Sequence, residues 1–269
     1  MAETKEKEHQ EIKQKPRIHL IDELRGFAIF CMVFFHAFFT VGFIFEAHWG
    51  QQLFYFFAPA EPYFAGLFIL ISGVACNLSH SNLERGVKLA LVALAVTLVT
   101  YLAKDIIGEH NLITFGILHM LACCMLLYGL INKYLKLVPS WLGILLNVLL
   151  FVLTFQVAKG SIGIPFLFTV NLPGEWYSTS FLFMFGLTTK GFISSDYFPL
   201  LPWLFLFFAG TYLGRIGIKR KFPKFMFRRY VPFFGFLGRH SLLIYLAHQP
   251  VIIGLCYLVK WIISLVPQT

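Results

Sequence analysis

Long apolar stretches broken by short polar clusters dominate the pattern along the chain. Seven of these stretches, 21–45, 62–79, 87–107, 112–131, 141–158, 197–213 and 241–263, come close to or exceed the roughly 20 apolar residues that a helix needs to cross a hydrocarbon core about 30 Å thick. Between the fifth and sixth, IGIPFLFTVNL and YSTSFLFMFGL are apolar but too short to span comfortably. A re-entrant hairpin, surface helices or two tilted crossings all satisfy that pattern, so seven to nine transmembrane helices are expected. No internal repeat and no Pro/Gly/Ser-rich linker divides the apolar part. The predicted architecture is an all-α polytopic bundle: a disordered cytoplasmic arm over 1–16, mixing Lys and Glu, and one membrane-embedded domain over 17–269.

Composition removes the soluble alternatives. Hydrophobic residues make up 58% of the chain and charged ones 13%, about half the usual share, which excludes an ordinary soluble domain. The net charge of +9 does not indicate nucleic acid, because the Lys and Arg residues sit between apolar runs with no basic domain to hold a duplex. They report topology instead. Arg215, Lys219, Arg220, Lys221, Lys224, Arg228 and Arg229 crowd the loop after the sixth run and place it in the cytoplasm. Counting back, the N-terminus and the loops with Arg85 and Lys88 and with Lys133 and Lys136 share that side, while the loops with His48, with Glu109 and His110, and with Glu175 face outward. A multi-pass protein of the plasma membrane with a cytoplasmic N-terminus is therefore expected. The five cysteines all lie in apolar segments and read as small hydrophobes, with neither a disulfide framework nor a metal cluster.

The polar residues inside the apolar runs carry the candidate chemistry. Asp22, Arg25, Ile29, Met32 and His36 follow a 3-4-3-4 spacing and form one helix stripe, with Arg25 and His36 roughly 16 Å apart along the axis. Ionisable side chains at that depth are costly against lipid, so the stripe should face the bundle interior or a wet cleft. In the last run Ser241, Tyr245 and His248 share a face with Gln249 beside them, and Pro250 frees the carbonyl of Leu246. This stripe suits either a lined cavity or interhelical hydrogen bonding. His119 shares a face with Gly116 and Cys123, consistent with close packing. Asp196 precedes an apolar helix with Pro199 and Pro202 and reads locally as its cap. The basic loop from Arg215 to Arg229 could grip the phosphates of coenzyme A, although positive-inside topology explains it without a ligand; Arg25 and Arg239, at cytoplasmic helix ends beside the polar stripes, are the better phosphate candidates. Walker loop, dinucleotide fingerprint, nucleophile elbow and zinc spacing are all absent from the sequence.

Asp22-x-x-Arg25-Gly26 followed by His36 resembles the Arg-x10-His first-helix signature of the transmembrane acyltransferase superfamily. LFILISGVACNLS, LERGVKL, ITFGILHML, SSDYFPLLPW with Gly210 and Gly214, and FLGRHSLLIYLAHQP follow in the order found in the bacterial branch of the heparan-alpha-glucosaminide N-acetyltransferase catalytic-domain family. The resemblance covers 17 to about 251 and is thinnest over 139–192.

It implies an enzyme that takes an acyl group, usually acetyl, from acetyl-CoA on the cytoplasmic side and transfers it to an amine or hydroxyl of a sugar-like acceptor on the far side. It implies His36 as catalytic base and draws His119 toward the site; Asp196, at the outer face where an acceptor would arrive, is carried as a further catalytic candidate able to orient a base or an amine. Many bacterial relatives carry an Asp four residues after that histidine, where this chain has Thr40; in eukaryotic relatives the histidine lies in the outer loop, where His48 matches locally. His36 and His48 are thus both carried as bases. Arg25, Arg239, Ser241, Tyr245, His248, Gln249 and His119 are carried as donor-binding residues. An imidazole titrating near neutral pH suits direct proton removal, and an acyl-histidine intermediate is equally consistent with the residues. No metal is implied, and self-association is left open. The rival readings are a small-molecule transporter or flippase, whose polar stripes would line a pathway, and a non-catalytic membrane binding protein.

Overall fold

The computed structural model describes residues 17–79, 81–108, 111–164 and 166–265. The arm expected over 1–16 and the pair Glu109 and His110 lie outside the described residues.

Helix α1 (His19–Phe39) continues through a π-helical turn at Thr40–Ile44. Helices α2 (His48–Phe57) and α3 (Glu61–Cys76) are joined by a 3-10 turn at Ala58–Ala60. Then come α4 (Asn82–Leu102), α5 (Ile117–Leu135), α6 (Ser140–Thr154), α7 (Leu200–Arg220), α8 (Pro232–Arg239) and α9 (Ser241–Leu265). Among the described residues seven segments are long and apolar enough to cross a membrane, with α2 and α3 counted as one. The molecule is a multi-pass membrane protein. Leu91, Leu94, Leu98, Leu145, Leu149, Leu255 and Trp261 are all exposed on the outside of the bundle, where hydrocarbon is the matching solvent.

The structure departs from the sequence expectation in three places. Residues 48–57 are a helix rather than an outer loop. Gly42 and Gly50 let the π-turn and α2 touch backbone to backbone, since a Cβ on Gly50 would lie 2.6 Å from the Gly42 nitrogen, and Gln51 Nε2 donates to the Gly42 carbonyl at 2.9 Å. Residues 161–171 form neither a crossing nor a helix. Ser161–Ile164 (β1) pairs antiparallel with Phe168–Asn171 (β2), Ile162 opposite Val170, and 3-10 turns follow at Gly174–Tyr177 and Leu182–Phe185. The β-branched residues and Gly163, at φ +139°, favour the extended pairing over helix. Finally, α8 occupies a stretch read as a connection, and it packs closely on α1.

Two glycine crossings set the helix positions. A Cβ on Gly26 would sit 1.8 Å from the Phe234 carbonyl oxygen and one on Gly238 1.8 Å from that of Asp22, so α1 and α8 are in backbone contact. Gly73 and Gly210 do the same for α3 and α7, each 2.1 Å from a carbonyl of the other helix. Asn77 ties the end of that pair to α5: its amide donates to the Thr211 carbonyl at 2.7 Å and accepts from the Tyr128 hydroxyl at 3.1 Å. Helix α9 packs against α1 and the end of α8 but makes little direct contact with α4. A gap therefore separates α4 from α9.

Candidate functional site

Three adjoining cavities run through the bundle, and Tyr245 of α9 lines all of them. At one end, Arg25 of α1, Ser72 of α3, Arg85 and Lys88 of α4 and Ser241 of α9 surround a space of about 280 Å³. Four elements thus bring their cationic or hydroxyl side chains to a single pocket. Asp22 does not join Arg25 there. It pairs with Arg17 at 2.6 Å, and its neighbour Glu23 accepts from the Tyr230 backbone N–H at 2.9 Å, so both acids fasten the start of α1, while Asp22 still attracts Arg25 through space.

Beyond Tyr245, a cavity of about 320 Å³ is lined by His36, Glu61, Ser195 and Asp196 among the aromatic rings of Phe35, Phe64 and Phe68. A third, of about 770 Å³, shares His36, Asp196 and Tyr245 and extends between α4 and α9 past His248 and Gln249. The rings of His36 and His248 face each other with centroids 5.0 Å apart. His248 Nδ1 lies 2.5 Å from the Tyr245 carbonyl oxygen, which can only accept; that nitrogen carries the hydrogen, so in the neutral form of the ring the lone pair is on Nε2.

Position 40 holds no carboxylate, and the acid that lines the cavity of both histidines comes from elsewhere in the chain. Thr40 is fully buried, and its hydroxyl accepts from Gln249 Nε2 at 3.0 Å, joining α1 to α9. The carboxylate in the shared cavity is Asp196. It does not cap its own helix, whose first residue follows Pro199 with no side-chain cap. Its Oδ2 accepts from the Ile117 backbone N–H at 3.0 Å, at the start of α5, and from the Tyr245 hydroxyl. Burial pushes this carboxyl above the ordinary range, against the opposing pull of the Tyr245 hydroxyl and the Ile117 amide.

His36, Asp196, Tyr245, His248 and Gln249 therefore converge, and Arg25 and Ser241 line the adjoining basic pocket. His48, His119 and Arg239 line none of the three cavities. His48 is exposed in the first turn of α2, 3.2 Å from Gln52 Nε2. His119 Nδ1 accepts from the Gly116 N–H at 3.2 Å, capping the start of its own helix α5, and its Nε2 lies 3.1 Å from the Thr97 hydroxyl of α4, so both ring nitrogens are engaged in structure. Arg239 is exposed at the end of α8. Arg215 is held by the Leu135 and Val138 carbonyls at 3.1 and 3.2 Å, a structural use of a residue that reads in the sequence as a topology signal or a phosphate contact.

Sequence reasoning missed Glu61, Arg85 and Lys88 as cavity residues. Arg85 and Lys88 had a usable signal, since their i, i+3 spacing puts both on one helix face. Glu61, between Pro59 and Pro62, is an acid at the start of an apolar run, and nothing local distinguishes it from an ordinary first-turn acid.

A family model described as "Heparan-alpha-glucosaminide N-acetyltransferase, catalytic" matches residues 17–250, a stretch that contains every converging residue named above. No curated protein and no solved structure matches the chain.

Proposed function

Because the chain belongs to the heparan-alpha-glucosaminide N-acetyltransferase catalytic-domain family, we propose that it moves an acetyl group from acetyl-CoA, bound at the basic end, to a hydroxyl or amine of a sugar-like acceptor reaching the histidines from the other side. The observation that carries this reading is the sharing of Tyr245 by a cationic pocket and by the two cavities that meet at His36. Arg25, Arg85 and Lys88 supply the planar and point-charge donors that phosphates of coenzyme A require, while Ser72 and Ser241 offer hydroxyls beside them. The pantetheine arm would then pass Tyr245 to bring the thioester to His36. Along α1 that path from Arg25 to His36 is roughly 16 Å. The positive-inside bias of the basic loop supports a cytoplasmic position for this end.

At the other end of the path the acceptor loses a proton as it attacks the thioester carbon. His36 is the base, and His248, with its Nε2 lone pair directed by the Tyr245 carbonyl, is its neighbour able to share or pass on the proton. The proton ends on the departing thiolate. Asp196 belongs to the same wall and orients Tyr245 and the start of α5 around the reacting centre.

The test compares His36→Ala with His48→Ala in detergent-purified protein supplied with radiolabelled acetyl-CoA and a membrane extract. Removal of a positioned base lowers kcat by about 10²- to 10⁴-fold, and that loss is expected for His36→Ala alone. Equal activity of folded His36→Ala and wild type would remove His36 from the chemistry. A coenzyme A dependence of thermal stability, expected for both variants, checks that the donor pocket is intact.

A further inference from the structure

The largest cavity is unlike the other two. It lies in the gap between α4 and α9, two segments long and apolar enough to cross a membrane that make little direct contact with each other. On α4 its wall is Val92, Ala95, Val96, Val99 and Thr100, followed by Ala103 just past the helix end, so small side chains repeat on a single helix face and leave a furrow instead of a ridge. Facing them are Leu246, Pro250 and Ile253 of α9. Such a furrow, about 770 Å³ and almost wholly apolar, matches hydrocarbon and not a sugar or a peptide.

Its inner end is polar. His36, His248 and Asp196 lie there, together with Gln249, whose Nε2 is taken by Thr40 while its Oε1 is buried with no hydrogen-bond partner among the described residues. A buried amide oxygen without a donor is costly, and what satisfies it is an O–H or N–H. The unmet acceptor and the histidine pair therefore ask for the same kind of group at the same place.

We infer that the acceptor is an amphiphile: a hydrocarbon tail lies in the furrow between α4 and α9, and a head group bearing a hydroxyl or amine donates to Gln249 Oε1 beside His36. The inference rests on the acetyltransferase reading for the chemistry that follows binding. In that step the acceptor O–H or N–H bond and the thioester C–S bond break, and the new C–O or C–N bond forms. The proton travels through His36 to the thiolate of coenzyme A, so nothing is oxidised or reduced. The acceptor would enter sideways from the bilayer instead of from water.

The full chain in nanodiscs of phosphatidylethanolamine and phosphatidylglycerol is irradiated with an alkyl glucoside carrying a diazirine on its tail, and labelled peptides are mapped. Labelling of 92–103 and 246–253 at least fivefold above the lipid-facing Leu145 and Leu149 of α6 is expected. Ala95→Trp and Val99→Trp should each abolish that excess, and Leu149→Trp should leave it. Gln249→Leu should weaken labelling by about tenfold while circular dichroism reports the same helix content as the wild type. In parallel, label from acetyl-CoA is followed into chloroform-soluble and water-soluble products. Uniform labelling of all outward faces would mean bulk lipid only and would overturn the inference. Protection of the furrow by palmitoyl-CoA, but not by unlabelled alkyl glucoside, would assign the tail to the donor and overturn it as well. Transfer to water-soluble sugar without furrow labelling sinks the lipid acceptor and leaves the acetyltransferase standing. Furrow labelling without transfer to either product supports the amphiphile site and counts against the acetyltransferase.

Discussion

Substituting Tyr245 by Phe removes one hydroxyl from the wall common to the three cavities, and its consequences can be worked out from two residues. The hydroxyl donates to Asp196 Oδ2, and both side chains are 8% exposed. Without it, Asp196 keeps a single donor, the Ile117 amide at 3.0 Å. Hydrogen bonds to a charged partner contribute about 1.5–3 kcal/mol, whereas interhelical polar contacts in membranes average about 0.6 kcal/mol. Two features favour the larger figure: Asp196 lies outside the spanning segments, and no second hydroxyl is available to replace the first among its described partners. One feature pulls it down, because burial raises the carboxyl's pKa and so favours the neutral form that accepts more weakly. The expected loss is about 1–3 kcal/mol. Reversible unfolding in mixed micelles would measure it, and a double-mutant cycle with Asp196→Ala would isolate the pair. A coupling energy below about 0.5 kcal/mol would refute the reasoning and reduce Tyr245 to a packing residue.

Other substitutions test the remaining claims. Gly26→Ala and Gly238→Ala each force α1 and α8 apart and should cost at least about 1–3 kcal/mol by overpacking, while Gly254→Ala, with nothing within 4 Å of the new methyl, should be neutral or stabilising by up to about 1 kcal/mol; thermal unfolding of the three variants separates these cases. The double variant Arg85→Ala with Lys88→Ala should lose most of the stabilisation given by coenzyme A, and Arg239→Ala should retain it, as measured by the shift in Tm with ligand concentration. Glu61→Gln should leave folding and coenzyme A stabilisation unchanged while altering KM for the acceptor, since Glu61 lines the cavity of His36 and makes no hydrogen bond or ion pair among the described residues.

Hydropathy and periodicity, read from the chain alone, determined that at least seven segments are apolar and long enough to cross a bilayer, that Arg25 and His36 share one face of the first, and that Ser241, Tyr245 and His248 share one face of the last. These are local properties, since the rise and twist of a helix follow from neighbouring residues. Only the tertiary structure decided what those faces meet. The hydroxyl of Tyr245 reaches a carboxylate 49 residues away, and Gln249 reaches a hydroxyl 209 residues away, in a bundle whose α1–α8 and α3–α7 pairs are brought into backbone contact by Gly26, Gly238, Gly73 and Gly210. The departures at 48–57 and at Asp196 likewise involve distant contacts. Residues 48–57 form α2, which packs on the π-turn where Gly42 and Gly50 meet, and an acid that looked like the cap of the following helix was carried to the start of α5 beside Gly116. The furrow between α4 and α9 is the furthest from local legibility: it exists because two helices fail to meet, and a space between elements is encoded in neither of them alone.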